Sequence, residues 1–163
     1  MSGANTSTQP PAGTVAGWRE WASLPDVGVE WVKAKLDTGA RTSALHAFDI
    51  AEFEQDGRPW VRFSIHPWQR SSEDATEAAL PIHDRRTVRS SSGHSEERYV
   101  VLMDVSVCGH RISSEMTLSR RDEMGFRMLI GRESLRQGIW VDPARSYLGG
   151  RPKRAVRRKN RGR

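Results

Sequence analysis

Cys108 is the only cysteine among the 163 residues. Its isolation excludes an intrachain disulfide and any multi-thiolate metal site built within one chain. No run of 18 apolar residues occurs, and the first 17 residues lack a charged segment followed by an apolar one. Neither a membrane-spanning helix nor a secretory signal is therefore predicted, and a cytoplasmic location away from membranes is expected. His-Glu-x-x-His is missing, and His46, His66, His83, His94 and His110 are scattered without ligand spacing. There is also no Gly-x-x-x-x-Gly-Lys-Ser/Thr loop for a nucleotide phosphate. No cofactor, zinc and ATP included, is expected.

The charge that is present is unevenly placed. Of 26 Lys and Arg, eight fall in residues 151–163 with no acid among them, leaving 18 bases against 20 acids in the first 150 residues. The basic character therefore belongs to a tail. With no apolar periodicity, residues 151–163 are predicted to be disordered, either simply solvated or drawn to a polyanion such as RNA or the ribosome. Residues 1–16, rich in Ser, Thr, Gly and Ala and holding Pro10-Pro11, read as a flexible leader. One domain over residues 17–150 is left between them.

Within that domain, short β-like runs alternate with turn residues. Trp18 to Leu24 ends at Pro25-Asp26, and Trp31 to Leu36 alternates Val32, Ala34 and Leu36 with Lys33 and Lys35, as a strand with one buried face requires. Pro59 to Ile65 follows the turn signal Gln55-Asp56-Gly57, and Ala78 to Ile82 comes next. Tyr99 to Val107 and Arg111 to Leu118 flank a hairpin connection at Cys108-Gly109-His110. Met128 to Ile130, Ile139 to Val141 and Ser146 to Leu148 are the last runs, with a short helix over Arg132 to Gln137 stopped by Gly138. The spacing predicts an all-β fold, a small closed barrel with a short C-terminal helix. Trp18, Trp21, Trp31, Trp60, Trp68 and Trp140 sit mostly in these runs and are expected in the core or at an interface.

Asp37-Thr38-Gly39-Ala40 stands where one β-run ends. A carboxylate held there suits chemistry in which two carboxyl groups share a proton and activate a water between them. The Thr38 hydroxyl is expected to brace the loop, and Gly39 to permit close backbone approach. Far downstream, Met128-Leu129-Ile130-Gly131-Arg132 resembles the segment that packs behind the catalytic loop in retropepsins and leads into a short helix. Longer stretches narrow the resemblance: Lys35 through Ala47, Val88 through His94, Glu123 through Arg132 and Val141-Asp142-Pro143. Together these resemble the RimK-associated retropepsin-like peptidases, the RimB-like family once labelled ATP-dependent zinc proteases. The resemblance spans roughly residues 17 to 150. It implies an aspartic-type peptidase, a hydrolase, with Asp37 catalytic, Thr38 and Gly39 shaping its loop, and Gly131 and Arg132 structural at the site. It further implies removal of glutamate tails that the ligase RimK adds to a small-subunit ribosomal protein. Two rival readings are a non-catalytic RNA- or ribosome-binding module on the same barrel and a zinc-dependent peptidase.

One departure is informative. Retropepsins as a class carry acidic residues just after Asp-Thr-Gly-Ala, where this chain has Arg41 and Thr42, so Arg132 needs a different partner. Arg41 is expected either to recognise an acidic substrate or to pair with Glu133 or Glu30. Lys35, with Arg85, Arg86 and Arg89, is a further candidate for binding successive glutamate carboxylates. The latter three, with a Ser90-Ser91-Ser92-Gly93 tip that includes Ser91 as a contact, read as a basic flap over a cleft or as a solvated loop. His46 is expected either to contact substrate or to pack in the core. Because the chain has a single Asp-Thr-Gly, a symmetric homodimer is the simplest source of a second carboxylate. A monomer pairing Asp37 with a different group is the alternative.

Overall fold

The computed structural model describes residues 13–67, 75–89, 92–120 and 125–159, with side chains to Val156. Twelve strands carry the fold: β1 (Thr14–Gly17), β2 (Arg19–Leu24), β3 (Val29–Leu36), β4 (Ser43–His46), β5 (Phe48–Gln55), β6 (Arg58–Ile65), β7 (Thr76–Pro81), β8 (Asp84–Arg89), β9 (Ser95–Val107), β10 (His110–Ser119), β11 (Met128–Ile130) and β12 (Ile139–Asp142). Two short helices, α1 (Arg132–Leu135) and α2 (Arg154–Lys159), complete it.

Six strands close into a barrel in the order β10-β4-β11-β3-β2-β9, with β9 pairing back to β10. The period-2 alternation of the sequence explains the closure. Val101, Met103, Val105 and Val107 of β9 and Val32, Ala34 and Leu36 of β3 all turn inward, each at most 4% exposed. Closure leaves few unpaired strand edges. A second sheet, β5-β6-β7, adds Val61, Phe63 and Ile65 of β6 to the same apolar core. Two hairpins have two-residue connections whose residues both take positive φ, Asp56-Gly57 (52° and 74°) and Cys108-Gly109 (51° and 76°). That geometry matches the right-handed strand twist.

Three sequence expectations are corrected. The leader was placed through residue 16, but Thr14–Gly17 forms β1 and pairs in parallel with β12. A four-residue strand is too short to show periodicity. Ser146–Leu148 is not a strand: Tyr147 has φ 56°, which interrupts an extended ladder, although its N–H still donates to the Arg19 carbonyl at 3.0 Å. The basic tail, expected to lack structure, contains α2, where Lys, Arg and Ala supply good helix propensity between Pro152 and Asn160.

Glu20 explains how the domain's two ends are held. It is fully buried, and its carboxylate accepts backbone N–H bonds from Gly17 (2.6 Å), Leu148 (2.9 Å) and Gly149 (3.0 Å). Beside it, burial and the Glu20 charge push the Cys108 thiol up to about 12, so this cysteine is an uncharged packing group at neutral pH. Glu20→Ala leaves three backbone donors without their acceptor, a loss on the order of 3 kcal/mol. A drop in melting temperature of roughly 6–12 °C is expected. An unchanged thermal melt would show that water replaces the carboxylate without loss.

Candidate active site

The chain enters the site along β3, whose last residue Leu36 is buried, and then turns at Asp37. β11 lies between β3 and β4, parallel to the first and antiparallel to the second. This placement makes two chain segments cross. The Asp37 N–H donates to the Ile130 carbonyl (2.8 Å), Arg132 N–H to Ala40 (2.7 Å), and Glu133 N–H to Arg41 (3.0 Å). The loop is thus tied down on both sides.

Gly131 sits at the crossing. A Cβ there would lie 2.4 Å from the Thr42 carbonyl oxygen and 2.9 Å from that of Ala40, so only hydrogen fits. Its φ of −92° is ordinary, and the demand is for space alone. Its N–H donates to Ser43 Oγ (3.0 Å), which in turn hydrogen-bonds Ser134 Oγ (2.9 Å), both serines being buried. This buried serine pair was not anticipated from sequence. It places a short polar side chain on each of β4 and α1, and only the fold brings them together.

Asp37 is half-buried, and its Oδ1 accepts the Gly39 N–H at 2.9 Å. A Cβ on Gly39 would stand 3.2 Å from that oxygen, so glycine keeps the carboxylate uncrowded. Thr38 braces the loop through its carbonyl, which accepts from Arg132 Nη1 at 3.2 Å. Arg132 thereby finds its alternative partner.

Past the loop the chain runs into the wall of a cleft of about 570 Å³, lined by Arg41–Ala44 but not by Asp37, Thr38 or Gly39, and bounded by a flap-like hairpin made by β8 and the start of β9. Arg86, Val88 and Arg98 of the hairpin face it, with Glu115 and Thr117 of β10 and Glu133 of α1 opposite. Arg41 also lines it and touches Glu133 at 3.9 Å, realising the pairing weighed from sequence; both groups are exposed, and such a contact is weak.

The structure redistributes the other predicted contacts. Arg85 and Arg89 alternate with Arg86 and Val88, so they lie on the opposite face of β8 from the cleft. Arg85 is instead bound to Glu52 at 2.7 Å, which raises its own basicity and lowers that of the Glu52 carboxyl, and it packs over Tyr99. Arg86 does line the cleft but is held by Glu115 (2.7 Å) and Asp84 (3.0 Å). Two of the arginines of this segment, read from sequence as a basic flap or a solvated loop, are thus paired with carboxylates. Lys35 points outward from β3 between inward-facing Ala34 and Leu36. His46, 2% exposed at the end of β4, is a core residue. Ser91 lies outside the described residues. Among the described residues no three His, Cys, Asp or Glu side chains gather as metal ligands.

A closed β-barrel with an Asp-Thr-Gly loop crossed by an apolar-Gly-Arg strand defines the class of retropepsin-like aspartic peptidases. A family model described as retropepsin-like aspartic endopeptidase RimB matches residues 15–152. The chain belongs to this RimB-like family. Among curated proteins it is 42% identical over 136 residues to a probable alpha-L-glutamate ligase of Shewanella halifaxensis and to another of Shewanella pealeana. It is 39% identical over 137 residues to one from Desulfotalea psychrophila. These matches take up 83–84% of this chain but only 30% of each relative. The chain therefore spans less than a third of the curated relatives it matches. Among solved structures, protein Lpg0085 of Legionella pneumophila, of unknown function, superposes with a TM-score of 0.70 at 26% identity, covering 83% of this chain and 98% of that one. Among the described residues no helix is long and apolar enough to cross a membrane.

Proposed function

We propose that this protein hydrolyses peptide bonds by an aspartic mechanism and that its substrates are glutamate tails on a ribosomal protein. The observation that carries the reading is the Asp37 loop, held by backbone hydrogen bonds and followed directly by the segment Arg41–Ala44 that lines a cleft. In the reaction, the Asp37 carboxylate takes a proton from water as the oxygen attacks the peptide carbonyl, while a second, protonated carboxyl group donates to the carbonyl oxygen. Collapse of the tetrahedral intermediate breaks the C–N bond and passes a proton to the departing amine.

The second carboxyl group comes from a second copy of the chain. The sequence has one Asp-Thr-Gly, and twofold symmetry brings two such loops face to face. The glutamate assignment draws on the curated relatives: their matched segment is a minor part of chains named for a glutamate ligase, which fits a domain acting on what such a ligase makes. The basic segment 151–163 adds attraction for ribosomal RNA.

Incubating the purified protein with a glutamate-tailed peptide and following masses is the direct test. Loss of mass in whole glutamate residues is expected, with the untailed peptide body left intact. Persistence of the full tail alongside cleavage elsewhere would overturn the glutamate assignment.

A further inference from the structure

The three guanidinium groups lining the cleft differ in how fully they are paired. Arg41 is 78% exposed, and water solvates it. Arg86 is satisfied by two close carboxylates, Glu115 and Asp84. Arg98, directly across the hairpin from Arg86 in the strand register, is neither. Its side chain is 15% exposed, and its carboxylate contact is Glu96 at 3.8 Å, a group that is itself 55% exposed. Its Nε is buried and has no hydrogen-bond partner among the described residues.

A desolvated cation with an unused donor is a costly arrangement, and buried polar atoms in folded proteins are otherwise nearly always satisfied. The cleft's own acids are already engaged. Glu115 is held by Arg86 and lies 3.3 Å from His83, while Glu133 contacts Arg41 and Arg136. Arg98 is thus the under-paired charge in a space large enough for a side chain.

We propose that Arg98 is the specificity residue of this cleft, receiving the side-chain carboxylate of an acidic substrate residue. This deepens the peptidase reading above and rests on it. A substrate strand lying between the hairpin and Arg41–Ala44 directs one side chain into the cleft. Ala44, Val88 and Thr117 offer apolar contact to its methylenes, and the Arg98 guanidinium grips the carboxylate with a planar two-point fork. Arg41, being solvated, contributes a weaker and salt-sensitive attraction.

The test compares wild type, Arg98→Met and Arg98→Lys on peptides identical except for glutamate or glutamine at the positions flanking the cut. Arg98→Met is expected to lower kcat/KM on the glutamate peptide roughly ten- to a hundredfold, and on the glutamine peptide far less. Arg98→Lys restores part of the loss, because an ammonium keeps the charge without the fork. In parallel, fluorescence anisotropy measures the glutamate peptide binding to Asp37→Asn and to Asp37→Asn/Arg98→Met, a readout that needs no turnover. A similar loss of affinity in the double variant is expected. Equal losses on both peptides, with unchanged anisotropy, would assign Arg98 to holding the flap and overturn the proposal. If wild type cleaves neither peptide, the peptidase reading fails, and the anisotropy pair still decides whether Arg98 binds a carboxylate.

Discussion

Asp37→Asn is expected to reduce peptide hydrolysis by roughly 10²–10⁴-fold or more while leaving the barrel folded. The two halves of that expectation have separate causes. The amide of asparagine keeps an oxygen where Oδ1 accepts the Gly39 N–H, so the loop retains its internal bond. What it loses is the capacity to take and return a proton, which the chemistry requires at each turnover. Asp37→Ala removes the bond as well and should cost about 1 kcal/mol of stability besides. Initial rates on a glutamate-tailed peptide and thermal melts of the three proteins separate these effects. An asparagine variant with a tenth or more of wild-type activity would move the catalytic carboxylate elsewhere.

Gly131→Ala is the second substitution with a large expected effect, and it acts through space alone. The backbone conformation at Gly131 suits alanine, so the obstacle is steric: the atoms nearest the added methyl are the carbonyls of Thr42 and Ala40, which sit inside contact distance. Those carbonyls belong to backbone, not to flexible side chains, and yield only if the two crossing segments separate. Overpacking of this kind costs about 3 kcal/mol, or a melting temperature lower by roughly 6–12 °C. Because the Arg132-to-Ala40 bond would stretch with it, the Asp37 loop should lose its position and kcat should fall more than stability alone explains. A stable protein with full activity would mean that the crossing is not what holds Asp37 in place.

The barrel strands were visible where inward and outward residues alternate, as in Val32-Lys33-Ala34-Lys35-Leu36, and where a turn dipeptide such as Asp56-Gly57 marks the register. β1, β4, β5 and β8 were not; Asp84–Arg89, with its three arginines, reads as a flap or a loop. Thr14–Gly17 and Ser43–His46 are too short to repeat a pattern, and the alternation of Phe48–Gln55 changes phase between Ile50 and Ala51, where an irregularity shifts its register against β6. At the site, Asp37 and Gly131 carried a motif. Arg98 did not, since nothing in Glu96-Glu97-Arg98-Tyr99 distinguishes a buried arginine from a solvated one; its importance arises from the hairpin register that sets it opposite Arg86. For the same reason Arg85, Arg86 and Arg89 read as one basic group in sequence, whereas strand alternation sends only Arg86 to the cleft. Charges close in sequence are not thereby charges on one face.

The parallel pairing of β1 with β12, closed by Glu20, also bears on how the domain responds to force. Tension applied at its two ends pulls β1 toward its start and β12 toward its finish, along the strand axes and in opposite directions. All the hydrogen bonds between them are then loaded together in shear, where an antiparallel pair pulled from one end would unzip bond by bond. The segment leaving the domain must also be torn from the Glu20 carboxylate at Leu148 and Gly149 before the load reaches the ribbon. When both ends are pulled, the β1–β12 ribbon and the Glu20 contacts therefore bear the load before the crossing that holds the Asp37 loop.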